Sequence, residues 1–304
     1  MSDQMIIWLK GVDGSRWDLS GPDAGLQGIE LRPGPKRIIE APAKTFWLQG
    51  ADRQFYQGKQ FERRDPVFAV NIFPPANSSD PLVWRDVDSR FRMALGMYDE
   101  EFRLTVETGG DVRYLDMRLL SDPVPYENGQ WEGKDPHLYA ASTLTINAAA
   151  SQPFWYASDL EFSWSLPSGT SGSTTFPFEN RGDVIVWPEY FVTAPGKWTL
   201  PDRSRGLEAA YQRPAGSDLN RNETLPLLFS GEDCHVNSDP DEEFLVAANN
   251  APVWARTNGR GLLYPIAPKT LPENLPVSVT DANPGAAVTL TIPRRYSRPF
   301  GVKI

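Results

Sequence analysis

At 304 residues, with 40% hydrophobic and 23% charged side chains, the chain can bury one large or two medium cores, which excludes the disordered class. A net charge of −9 and a pI near 4.9 exclude a duplex-binding protein built on clustered cations, because Lys and Arg are what displace phosphate counterions. The single cysteine, Cys234, excludes an intramolecular disulfide, and no apolar run approaches the roughly 20 residues of a membrane span.

With 28 Pro and 24 Gly to punctuate turns, and ten Trp, ten Tyr and fifteen Phe to suit pleated surfaces, many short strands are expected. Met5–Leu9 is apolar and is followed by a Gly11–Ser15 turn. Trp17–Leu19 alternates up to Ser20-Gly21-Pro22, and Gly28–Leu31 alternates again. Lys44–Leu48 and Val67–Phe73 are further strands, the second long enough to be central. The period then changes. Asp80 and Pro81 have the chemistry of an N-cap and a first helical residue, and Trp84, Val87, Phe91, Leu95 and Tyr98 form one stripe at steps of three and four. This predicts the one clear helix, near 81–97, packed across a sheet. Phe102, Leu104 and Val106 alternate into the turn Thr108–Asp111, and Val112–Leu120 returns, which reads as a hairpin.

Ser121–Pro136 reads as a polar loop carrying Asn128-Gly129 and Lys134-Asp135-Pro136. A strand is expected from about Leu138 to Ile146, with a domain boundary after Pro153-Phe154-Trp155-Tyr156. Beyond Asp159 only strands are expected: Leu160–Leu166, Thr174–Phe178, Val184–Thr193, Lys197–Leu200, Leu207–Gln212, Leu225–Ser230, Cys234–Val236, Glu243–Ala247, Val253–Arg256, Leu262–Pro265, Pro276–Thr280 and Val288–Ile292. Strands at this spacing make a sandwich or barrel. The expected organisation is two β domains, residues 1–157 with the helix and residues 158–304 without one.

Few residues carry reactive chemistry. Glu232, Asp233, Asn237, Asp239, Asp241, Glu242 and Glu243 form an acidic segment whose start alternates oxygens like a calcium loop. The pattern then fails, with Glu242 where Gly is needed and Ala248 where Glu is needed, so a solvated turn is favoured. The same acids are the only motive for a glycoside hydrolase, which needs two carboxylates flanking the scissile bond. Cys234-His235 places a nucleophile beside a base, but neighbours in a strand face opposite sides. His137 is the only other histidine, so a zinc site would need carboxylates to complete it. Arg181-Gly182-Asp183 reads as a turn, with Gly182 permitting a positive backbone angle. Asn77-Ser78-Ser79 and Asn222-Glu223-Thr224 are glycosylation sequons without relevance unless the chain is secreted. Trp164, Trp187, Trp198 and Trp254 could stack on sugars, but core roles are expected, with one exposed at most. No phosphate-cradling loop, serine elbow or dinucleotide fingerprint is present, so the reading assigns no catalytic, cofactor or metal residue. The start of the chain lacks the basic region and apolar core of a secretion signal, so synthesis in the cytoplasm as a soluble protein is expected. Arg294, Arg295, Arg298 and Lys303 read as a solvated or interface tail.

An ordered set of motifs runs along the chain: Asp13–Pro22, Gly28–Leu31, the helix with Trp84 and Phe91, Pro153–Tyr156, Asn180–Pro188, Asp239–Glu243, Trp254–Arg256 and Arg294–Gly301. In this order the chain resembles the distal tail protein family (Dit) of long-tailed phages, above all the minor tail proteins of phages infecting actinobacteria. The resemblance implies an N-terminal ring-forming β domain with one helix and a C-terminal galectin-like β-sandwich pointing outward. It implies a homohexameric ring in the virion, at the tail tip or baseplate, that joins tube to tip and lets DNA pass. The implied partners are further copies of the chain, the tail tube protein, the tape measure protein and the tail hub or tip proteins, with no catalysis. A second expectation makes residues 158–304 a carbohydrate-binding module for host-surface glycans, and a third is the cell-wall hydrolase.

Overall fold

The computed structural model describes residues 4–75, 78, 80, 82–125 and 134–301. Pro81, two residues of the Asn77 sequon, the Asn128-Gly129 turn and Lys303 lie outside the described residues. The fold is mainly β, in several antiparallel sheets. The chain divides into two compact units: Met1–Ala157 with Tyr296–Gly301, and Ser158–Arg295 with the last three residues.

In the first unit, β1 (Ile6–Lys10) pairs with β2 (Arg16–Ser20). Asp13 closes the turn between them by accepting from the Ser15 amide and hydroxyl. The next strands are β3 (Ile29–Leu31), the hairpin strands β4 (Ala43–Gln49) and β5 (Gln54–Phe61), and β6 (Val67–Ile72). Helix α1 (Val83–Ala94) leads to β7 (Phe102–Thr108) and β8 (Asp111–Leu119). Gly109 and Gly110, at φ 51° and 83°, make the two-residue turn between these strands, whose handedness matches the twist of the pair. After β9 (Val124–Pro125) and the single-turn helix α2 (Pro136–Tyr139), β10 (Ser142–Ala149) pairs with β6, and β6 with β3. β7 also pairs with β1, so one sheet runs β2-β1-β7-β8.

Helix α1 covers this unit with the expected stripe. Trp84, Val87, Phe91 and Leu95 are buried, Trp17 meets Phe91 edge to face at 5.4 Å, and Trp84 Nε1 donates to Ser142 Oγ at 3.2 Å. The helix is shorter than 81–97. Asp80 does accept a backbone amide, that of Leu82 at 2.8 Å, but helical geometry begins at Val83. The stripe also overruns at its end: Tyr98 lies past the helix at φ 59° and is exposed.

The division falls within β11 (Trp155–Ser165). The second unit then carries β12 (Gly172–Asn180), β13 (Glu189–Val192), β14 (Lys197–Pro201), β15 (Asn222–Thr224), β16 (Cys234–Asn237), β17 (Leu245–Ala247), β18 (Thr270–Thr280) and β19 (Ala287–Tyr296). Two antiparallel sheets, β17-β16-β13-β19-β11 and β12-β18-β14-β15, enclose one core. Phe176, Phe178, Trp198 and Val277 from one sheet meet Tyr190, Val236, Val288 and Leu290 from the other, which makes the unit a β-sandwich.

Several expected strands take other forms. Leu207–Gln212 holds a 3-10 turn, Glu208–Tyr211, because its Glu-Ala-Ala run favours helical backbone and Ser204 Oγ ties Glu208 at 2.6 Å. Val253–Arg256 is also a 3-10 turn, entered at Pro252 and ended by Asn258 at φ 55°. Val184–Pro188, Leu225–Ser230 and Leu262–Pro265 are extended loops. The bridge Val186–Ile266 ties the first of these segments to the residue that follows the third, and the bridge Gly196–Leu228, with the Leu225 amide donating to the Trp198 carbonyl at 2.8 Å, holds the second beside β14. The expected strand start at Leu138 is instead part of α2, capped by Asp135, whose carboxylate accepts from the His137 amide at 2.9 Å. β5 was not among the expected strands, because Gln-Phe-Tyr-Gln-Gly-Lys-Gln breaks the alternation.

Candidate functional site

The feature most open to a partner is the β4–β5 hairpin of the first unit. Its two strands pair with each other and, among the described residues, join no third strand. Every residue of β4 is exposed; Trp47 pairs with Tyr56 and Leu48 with Phe55, and with Phe46 they make a blade of large apolar side chains, Trp47 being 54% exposed. A bulge between Phe46 and Trp47, opposite Gly58, sharpens the twist of the blade. Its root, by contrast, is fixed. Arg64, fully buried, donates to the carbonyls of Pro153 at 2.8 Å, Ile38 at 2.5 Å and Ser297 at 3.0 Å. Trp155 Nε1 grips the same Ile38 carbonyl at 3.0 Å, and Phe61 meets Phe154 edge to face at 4.8 Å. Burial among carbonyls, without a carboxylate in contact, brings the Arg64 guanidinium down to about 10. A cleft of about 730 Å³ opens beside the root, lined by Arg37, Glu40, Glu62, Arg63 and Asp65. A rigid root with a bare apolar blade has the physical form of an arm that inserts into something else.

The acidic segment forms turns. The Asn237 side-chain Oδ1 accepts from the Asp239 amide at 2.9 Å, and the Asp239 carboxylate accepts from the Asp241 amide at 3.1 Å. Among the described residues no group of three or more His, Cys, Asp or Glu is placed to hold a metal ion. Cys234 is buried and its thiol donates to the Glu232 carbonyl at 3.1 Å, while His235 lies on the outer face beside Glu189 at 3.1 Å. Burial pushes the Cys234 thiol up to about 11. His137 sits in α2 with its ring edge-on to Trp84 at 5.3 Å. Of the four tryptophans in the second unit, Trp198 is fully buried, Trp164 and Trp187 are half-buried, and Trp254 is 63% exposed.

The Asn180–Asp183 turn is organised differently from the expectation. Asn180, buried, donates to the Val184 and Ile266 carbonyls and accepts from the Gly182 amide at 2.9 Å, so one side chain satisfies the whole turn. Gly182 does not take a positive φ. It is needed because a Cβ there would lie 2.2 Å from the Arg295 carbonyl oxygen.

Other buried polar groups left no sign in the sequence. In the first unit Arg113 donates to the Arg298 carbonyl at 2.8 Å and to Asp111 at 2.6 Å, with its guanidinium 3.7 Å over the Tyr296 ring. In the second unit Asp202 accepts from Arg221 at 2.6 Å and from the amides of Leu263 and Tyr264. Asp218 is gripped by Arg213 and accepts from the Tyr264 hydroxyl at 2.6 Å, which together hold its carboxyl down to about 2. Apart from the near neighbours Arg113–Asp111 and Arg213–Asp218, these pairs lie 19 to 185 residues apart, so no periodic pattern marks them.

No family model matches the chain. Among curated proteins, the minor tail protein Gp27 of Mycobacterium phage D29 is 27% identical, and that of Mycobacterium phage L5 is 26% identical, each over the whole of both chains. The resemblance to phage minor tail proteins therefore holds along the entire chain. Among solved structures, the SPP1 Dit protein (gp 19.1), described as a paradigm of hub adsorption apparatus in phages infecting Gram-positive hosts, superposes with a TM-score of 0.59. That match covers 96% of this chain and 98% of Dit at 12% identity. A chain of the phage P2 baseplate in its activated conformation with Ca gives 0.50, over 97% and 98% at 12% identity. The fold of this chain is thus a Dit-like β fold, with the match running through both units.

Proposed function

We propose that this chain is a structural component of a long-tailed phage tail tip: a distal tail protein whose copies close into a ring that joins tail tube to tip and lets DNA pass, without catalysis. The observation that carries this reading is the likeness over the whole chain, both to the Gp27 minor tail proteins and to the Dit fold. The first unit would form the ring and the second would point outward. A ring of identical copies needs two different surfaces that meet head to tail and close by rotation. The bare β4–β5 arm is the kind of surface that demands a partner. The acidic balance of −9 suits a passage through which DNA slips without adhering. Tube, tape measure and hub or tip proteins are the further partners, and the virion is the location.

Complementation tests this. A phage carrying an amber mutation in this gene should make tails that fail to mature and are rescued by the chain supplied in trans. Native mass spectrometry of tail extracts should show it as a closed oligomer. Normal virions assembled without it would end the reading.

One observation favours an added role for the second unit in contacting host-surface glycans. Trp254 is 63% exposed, and the nearby Arg256 guanidinium lies 4.9 Å over the ring of exposed Phe229. Aromatic faces of this kind stack on sugar rings. Titration of the full chain with host cell-wall saccharides should quench tryptophan emission, and Trp254→Ala should abolish the response; no saturable change with any saccharide would remove the role.

A further inference from the structure

We infer that the arm of one copy docks on the acidic corner at the C-terminal end of α1 in the next copy, an inference that rests on the ring reading above and names its contact. Both surfaces belong to the first unit, and they are opposite in charge. The arm carries three cations, Lys44, Arg53 and Lys59, against Asp52 alone. Each cation lies over an aromatic ring of the arm, Phe46 at 5.7 Å, Phe55 at 5.1 Å and Phe61 at 4.7 Å, and none forms an ion pair among the described residues. These exposed cations are held on ring faces by the ring quadrupole and remain open to a carboxylate.

The corner is the complement. Met93, Met97 and Tyr98 are exposed there, Met97 at 75%, next to exposed Asp99 and Glu100. The Tyr98 hydroxyl donates to Asp122, which brings a third carboxylate to the same place. Asp99, Glu100 and Asp122 have no cation beside them among the described residues. The last carbonyls of α1 add the negative end of its dipole. Methionine side chains adapt to whatever ring is pressed on them. Flat aromatics rimmed by cations therefore face pliable thioethers rimmed by carboxylates. Two unlike patches on one chain give a head-to-tail contact, which closes into a ring when the rotation allows.

Charge exchange in the full-length chain tests the pairing. Lys44→Glu with Lys59→Glu should raise the concentration needed for self-association at least about tenfold, as should Asp99→Lys with Glu100→Lys. The four changes together in one chain should recover association to within about threefold of the unaltered protein, because the two patches again attract. A cross-link gives a second readout: a Trp47→Cys chain mixed with a Met97→Cys chain should form a covalent dimer under mild oxidation, and neither chain should do so alone. The native Cys234 is buried and does not compete. If the unaltered chain associates while the arm variant associates equally well, or if the Trp47→Cys chain links to itself, the docking is wrong and the ring reading stands. If the unaltered chain remains a monomer in solution and in tail extracts, both fall.

Discussion

Two antiparallel hairpins of the first unit, β4–β5 and β7–β8, differ in whether their apolar side chains are covered. β7–β8 is flanked by β1 and β10, and Phe102, Leu104, Val106, Leu115 and Met117 are buried. β4–β5 also carries large apolar side chains, yet Phe46, Trp47, Leu48, Phe55 and Tyr56 are exposed. One hairpin has its apolar face covered by its own chain; the other carries the face without the cover. The chain invests in a fixed root, with Arg64 and Trp155 both holding Ile38, only to present a surface that its own fold does not use. The ring proposed above would cover this surface, and exposed apolar area of this kind is a liability in a protein that stays alone.

Substitutions can break this contrast. The largest effect is expected in the covered hairpin: Phe102→Ala or Leu104→Ala should cost about 2–5 kcal/mol in denaturant unfolding, through lost burial and a residual cavity. At the root, Arg64→Met should cost about 1–3 kcal/mol by leaving buried carbonyls without a donor. It should also speed amide exchange around Ile38, whereas equal protection in the variant would mean that the root is not held this way. The second unit supplies a control by acid titration. Asp218 has a folded value near 2, below the ~3.9 of an unfolded aspartate, so its contribution is complete above about pH 4 and fades as pH falls toward 2. Asp218→Asn should flatten that part of the stability curve of the second unit; an unchanged slope would mean that Arg213 and Tyr264 do not grip the carboxylate. The smallest effect on folding is expected in the arm. Trp47→Ala should alter monomer stability by no more than about 0.5 kcal/mol while weakening assembly.

Much of this architecture was legible in the sequence. The hairpin at Phe102–Leu120 was readable because alternation and a Gly-Gly turn agree, and the helix because Trp84, Val87, Phe91 and Leu95 repeat at helical steps. Its ends were less so: Tyr98 continues the spacing by coincidence after the backbone has left the helix. The loops of the sandwich read as strands wherever an apolar run passes without entering a strand ladder, as at Leu225–Ser230 and Leu262–Pro265. The arm itself was half seen. β4 was expected, but nothing in its residues tells whether a covering layer comes from the same chain, since exposed and buried hairpins draw on the same aromatics. Arg64, Arg113, Asp202 and Asp218 were invisible, because their partners are backbone groups or residues distant in sequence, and no local pattern encodes them.

The most direct test of the central claim is a cryo-EM reconstruction of the tail end of the phage with this chain traced in the density. The account predicts a closed ring of copies at the junction of tube and tip, with each β4–β5 arm covered by a neighbour. Density that holds the chain as a single copy, or a ring in which every arm projects bare into solvent, would contradict it.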